Sequence, residues 1–141
     1  MKRLANFLVI VVAVIHLAIM AAEMFGRAKE GKVFGWPPLL LARLDEDNKL
    51  GFAKDQAEYA SPIVWNTGLF NGFLAAGLFW GWKAKVNALQ VRAFFLGCVT
   101  IAGVFGACTL PVLTTLWIQA IPGGIALIVN CLALRGGTQA T

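Results

Sequence analysis

The sequence predicts an all-α fold, a four-transmembrane-helix bundle with a long loop between helices 1 and 2. Three observations carry this reading. The 141 residues are 59% hydrophobic and 13% charged, with a mean hydropathy of +0.74. A soluble domain carries about a quarter charged residues, so hydrocarbon rather than water is the main solvent of this chain. Four apolar runs of membrane length follow one another, and most of the charged residues fall between them. The whole chain, 1–141, is read as a single integral-membrane domain. Its spans are at about 4–25, 63–82, 93–110 and 112–134, with an extramembrane loop at about 26–62.

The first run, Leu4 to Phe25, extends about 33 Å as a helix, enough to cross the hydrocarbon core. Lys2 and Arg3 precede it as they would a signal peptide. The run is too long for a signal h-region, and no small-residue cleavage site closes it. The loop that follows holds six basic and six acidic residues and the segment Trp36-Pro37-Pro38; it is too long for a simple turn. Within it "PPLLLARL" reads either as a short amphipathic helix on the membrane, with Leu39, Leu40, Leu41 and Leu44 toward lipid, or as a partly ordered loop. The second run, Ile63 to Trp82, is joined by the short, purely basic "KAKVNALQVR" to the third, Ala93 to Leu110, which Pro111 ends. The fourth, Val112 to Leu134, contains Pro122, Gly123 and Gly124, a combination that favours local unwinding.

The net charge of +5 does not make this a nucleic-acid protein, since no basic face is interleaved with aromatics as backbone binding requires. The basic residues flank apolar runs, where a membrane protein keeps them. The N-terminus, the second loop and Arg135 share one side, with six basic residues and no acid. The long loop matches that basic count, but short loops weigh more in setting orientation, so both termini are expected in the cytoplasm. Cys98, Cys108 and Cys131 sit inside apolar runs without a Cys-x-x-Cys pair. They read as packing residues, and no metal site is expected.

The polar residues inside the runs converge in depth. Asn66 and Asn71 lie about 5 and 12 Å from the long-loop end of helix 2. Counted from Phe25, Glu23 is about 3 Å and His16 about 13 Å into helix 1, two turns apart and on one face. Thr114, Thr115 and Gln119 fall within about 10 Å of the same end of helix 4, and Thr109 ends helix 3. Among the strongly polar side chains on helices 1, 2 and 4, Asn130 lies in the other half. Polar groups in hydrocarbon are costly, and ionisable ones face the bundle interior. The expectation is a polar pocket with His16 at its floor, Glu23 at its mouth, and Asn66, Asn71 and Gln119 on its walls. Trp36, Trp65 and Trp117 are its candidate rim. Each residue also has a plainer reading: a packed histidine that fixes register, a Glu23–Arg27 pair one turn apart, and amides as interhelical glue. Gly68, Gly72 and Ala76, the pair Gly77 and Gly81, and Cys98, Ala102 and Gly106 form small-residue stripes that permit close helix approach. They serve either a seam between helices 2 and 3 or a homo-oligomer contact.

The segments "NTGLFNGFLAAGLFW", "FFLGCVTIAGVFGACT", "HLAIMAAEMF", "GKVFG" and "IQAIP" resemble, in order over all four helices, the small bacterial integral-membrane proteins of domain-of-unknown-function family 1304. His16, Glu23, Asn66, Gly68, Asn71, Gly72, Gly103, Gly106 and Gln119 stand where that family's pattern has the same residues. The chain departs from the pattern at Ile15, where an acidic residue often precedes the histidine, at Phe70, commonly tyrosine, and at Thr67, commonly glutamine. The long loop also looks extended. These changes make the pocket less polar and weigh against a proton relay through them. The resemblance implies a four-helix membrane fold, here in the bacterial inner membrane, and brings no function.

Two classes of function fit. The first is a polar intramembrane pocket that binds or converts a small apolar molecule, isomerase-like, by acid–base chemistry on His16 and Glu23. A sharper form makes His16 the axial ligand of a haem, since an imidazole in an apolar bundle is a normal haem ligand. The alternative is a non-catalytic structural, partner-binding or transport-related membrane protein.

Overall fold

The computed structural model describes residues 1–25, 54–110 and 113–138. These form α1 (Lys2–Phe25), α2 (Lys54–Lys83), α3 (Ala88–Thr109), a π-helical turn (Leu116–Ala120) and α4 (Ile121–Thr138). The described residues are thus all-α with four helices, as predicted. Among them α1, α3 and the stretch Leu116–Arg135 are long and apolar enough to cross a membrane. The 30-residue α2 is not in that group: its first turns are polar, and Asn66, Thr67 and Asn71 interrupt its apolar part. The candidate surface helix "PPLLLARL", Trp36 and Arg27 lie outside the described residues.

The chain packs as two compact units, Met1–His16 with Phe73–Thr141, and Leu17–Gly72. Segments of all four helices meet in the first. In α1 the run "VIVVAVI" is β-branched and would favour a strand in water. In hydrocarbon every backbone group must be paired within the segment, and a helix does so. The buried residues Ala5, Val9, Val12, Ala13 and His16 then fall at helical spacing on one face. Val9, Val12 and Ala13 pack with Leu78 of α2, Leu96 and Val99 of α3 and Ala126 of α4. Among the described residues, six of the eleven buried apolar ones are alanines, whereas Phe7, Phe94, Ile101, Phe105, Trp117 and Ile128 are more than 60% exposed. Small residues inside and large apolar ones outside is the arrangement expected when lipid is the solvent and helices associate by close backbone packing.

Three boundaries differ from the sequence reading. α2 starts at Lys54, inside the stretch read as loop, and carries Pro62 within it. Pro62 deprives the residue 58 carbonyl of its N–H partner but does not end the helix. α3 starts at Ala88 after a connection of four residues, 84–87, in which Asn87 takes a left-handed conformation (φ 54°) that asparagine tolerates. The polar stretch "ALQVR" is therefore helix rather than loop. The fourth helix does not unwind at Pro122, Gly123 and Gly124; the irregularity lies just before them. Proline cannot donate to a carbonyl four residues back and clashes with it. The turn widens instead, and the Ile121 N–H donates to the Leu116 carbonyl five residues back. Such π-turns absorb local strain within a continuous helix.

Candidate functional site

His16 closes the buried face of α1 and is wholly buried. Its Nδ1 lies 2.9 Å from the Val12 carbonyl oxygen one turn earlier. A carbonyl only accepts, so Nδ1 carries the hydrogen. In the neutral ring Nε2 is then a bare lone pair, and it is buried with no hydrogen-bond partner. The backbone bond fixes the ring's orientation and chooses which nitrogen is left reactive.

In the second unit the structure brings Glu23 and Asn71 together. Asn71 Nδ2 donates to Glu23 Oε2 at 2.9 Å and to the Thr67 carbonyl at 3.1 Å. Two glycines make this contact possible. A Cβ on Gly68 would lie 2.7 Å from Met24 Cγ and 2.9 Å from Glu23 Cβ, and one on Gly72 would lie 2.6 Å from Met20 Sδ. Within this unit α1 and α2 therefore approach nearly to backbone contact, and the carboxylate reaches the amide. Within this unit the Gly68–Gly72 stripe thus faces α1. The α3 partner of α2 is the second pair: a Cβ on Gly77 would overlap the Phe95 ring, and one on Gly81 would lie 2.9 Å from Arg92 Cγ.

Asn66 is exposed, as is Thr67, whose hydroxyl donates to the Ile63 carbonyl at 3.0 Å. Asn66 is five residues from Asn71, about 140° around the helix, so the structure does not bring it to the Glu23 contact. Gln119 lies half-buried on the π-turn of the first unit. Four residues earlier, the Thr115 hydroxyl is buried with no partner. Among the described residues no three His, Cys, Asp or Glu side chains cluster closely enough to hold a metal ion.

Two buried polar residues were not part of the predicted pocket. Asn130 is fully buried; its Nδ2 donates 2.8 Å to the Leu89 carbonyl, and its Oδ1 has no partner. Arg92, read from the sequence as a loop cation, is 5% exposed. Its Nε donates to the Gly81 carbonyl at 2.7 Å, Nη1 to Asn6 Oδ1 at 2.5 Å and Nη2 to the Trp82 carbonyl at 3.1 Å. The signal for Arg92 was present in the sequence: counting back from Gly103 through Val99 and Leu96 at helical spacing lands on it.

The Glu23–Asn71 bond gives a direct test. Asn71→Leu leaves a carboxylate without its donor in an apolar setting and should lower unfolding free energy in detergent micelles by about 1–2 kcal/mol. Glu23→Gln keeps an amide oxygen as acceptor and should stay within about 0.5 kcal/mol of the parent. Equal losses in the two variants would mean that the bond does not form.

These features define an integral-membrane protein of four helices with small-residue packing and a few buried polar groups. A family model described as "Protein of unknown function (DUF1304)" matches residues 10–131, most of the chain, and the protein belongs to that family. No curated protein and no solved structure gives a match.

Proposed function

We propose that this protein binds a small, largely apolar molecule inside the membrane through Nε2 of His16, and that His16 converts it by acid–base chemistry, isomerase-like. The observation that supports this is the buried, unpartnered Nε2 on a ring oriented by the Val12 carbonyl. An unmet acceptor in such a place costs about 1–3 kcal/mol, and native structures rarely retain one without a reason. A ligand with one hydrogen-bond donor on an apolar body meets this acceptor and suits the hydrocarbon around it. Glu23, Asn66, Asn71 and Gln119 enter the proposal as candidates to be substituted one by one beside His16. The proposal includes the bacterial inner membrane, with both termini cytoplasmic.

The same atom supports haem as a second reading. A histidine that ligates metal donates its other N–H to a carbonyl or carboxylate, as Nδ1 does here. Against it stands the full burial of His16: a macrocycle would have to displace more of the surrounding helices than a small ligand would.

Native mass spectrometry and an absorption spectrum of the detergent-purified protein test both readings. A bound small molecule should be retained by the parent, retained about tenfold less by His16→Ala, and recovered in part by His16→Gln, which offers an amide oxygen. A Soret band lost in His16→Ala would select haem. No ligand, no band and a His16→Leu variant more stable than the parent would return His16 to the role of a packed helix residue in a non-catalytic protein.

A further inference from the structure

All seven acidic residues of the chain lie between Glu23 and Glu58, so the unit made of Met1–His16 and Phe73–Thr141 contains six Lys or Arg residues and no Asp or Glu. The hydrogen bonds gather those six at one end of the unit. Arg92 ties the second turn of α1, through Asn6, to the last turn of α2, through the carbonyls of Gly81 and Trp82. Lys2 and Arg3 therefore stand at the same end as Lys83 and Lys85. Asn130 of α4 holds the Leu89 carbonyl in the first turn of α3, which brings Arg135, about one turn further along α4, to that end as well. Lys2, Arg3, Lys83, Lys85 and Arg135 are all exposed.

The Arg92 guanidinium is the anomaly. It is buried, and its three bonds go to two carbonyls and an amide oxygen. A guanidinium has five N–H donors, so two remain, and among the described residues of the unit no Asp or Glu side chain answers its charge. The C-terminal end of α2 supplies a partial negative charge equivalent to about half an electron, which leaves much of the charge uncompensated. Lys83 Nζ lies 5.9 Å from the centre of the exposed Trp82 ring, and Trp80 beside it is exposed too. Indole rings of this kind settle at the headgroup level of a bilayer.

We propose that this end of the protein is a seat for the headgroup of an anionic phospholipid, with the phosphate held by Lys83, Lys85 and Arg3 above the buried Arg92. Lipid is favoured over a soluble anion because the cations rim a surface of apolar helices and interfacial tryptophans, so the acyl chains and the headgroup find partners together.

The test compares phosphatidylglycerol with phosphatidylcholine in native mass spectrometry of the protein in neutral detergent. The expected result is preferential retention of phosphatidylglycerol. A juxtamembrane basic residue near an anionic surface changes binding about fivefold, so Lys83→Gln with Lys85→Gln should reduce that retention about 25-fold. Both side chains are exposed, so the fold should survive, with circular dichroism as the check. Excess inorganic phosphate should leave the lipid in place. Equal retention of the two lipids, undiminished retention in the double variant, or displacement by inorganic phosphate would each overturn the assignment.

Discussion

Gly103→Ala should destabilise the protein by more than about 3 kcal/mol, beyond the usual range for an overpacked core. A Cβ at this position would lie 2.8 Å from Ala120 Cα and 2.9 Å from Ala120 Cβ, and would overlap the Ala120 backbone nitrogen. Those neighbours cannot swing aside as the end of a long side chain does. Ala120 is the last residue of the π-turn, whose closing bond runs from the Ile121 N–H to the Leu116 carbonyl, and Pro122 follows at once. Making room requires α4 to move away from α3. That would also loosen the contact where Gly106 faces the Thr115 side chain. The internal control is Gly97 on the same helix. A Cβ there meets nothing within 4 Å, so Gly97→Ala should be neutral or stabilising by up to about 1 kcal/mol through helix propensity. Thermal unfolding of both variants in detergent, followed by circular dichroism, gives the comparison. Similar midpoints would mean that α3 and the π-turn do not pack as closely as described. Gly77→Ala should fall between them, because its obstacle is the Phe95 ring, which can rotate away at the cost of a strained rotamer.

The contrast among these glycines shows what could be read in advance. The stripes were visible as spacing, but spacing cannot say which helix each stripe meets. Gly68 and Gly72 face α1, while Gly77 and Gly81 face α3. Gly72 and Gly77, the nearest members of the two pairs, are five residues apart, about 140° around the helix, so the pairs present different faces. The four helices were legible because hydrocarbon permits no other backbone solution for apolar runs of this length. Their ends were less legible. The apolar run begins at Ile63, after Pro62, yet "KDQAEYA" before that proline has ordinary helix propensity and is part of the same helix.

The candidate site was legible in part, for a related reason. Depth along a helix follows directly from residue number, so an intramembrane Glu23 and Asn71 could be placed at compatible levels. Rotation matters equally. The two-turn spacing that put His16 and Glu23 on one face is the same arithmetic that separates Asn66 from Asn71. Which atom of His16 is free was not legible at all. It depends on Nδ1 finding the Val12 carbonyl, a choice of side-chain rotamer that residue type does not specify.

Arg92→Met should cost about 2–4 kcal/mol, and the form of the loss should identify the cause. The substitution keeps length and apolar bulk but strands three acceptors: Asn6 Oδ1 and the carbonyls of Gly81 and Trp82. The two carbonyls belong to the last turn of α2, where no further helical N–H is available to them. Each buried acceptor left unmet costs about 1–3 kcal/mol. The sum is reduced because a desolvated guanidinium is no longer carried. Arg92→Lys should recover less than half of the loss, since a single ammonium cannot reproduce a planar fork directed at three acceptors. Asn6→Ala should cost about 1–2 kcal/mol in the parent and almost nothing on the Arg92→Met background, because the bond it tests is already gone. Additive losses in the double variant would show that Asn6 and Arg92 act independently. A fully stable Arg92→Met would mean that the guanidinium reaches the aqueous interface and that the ends of α1 and α2 are held by packing alone.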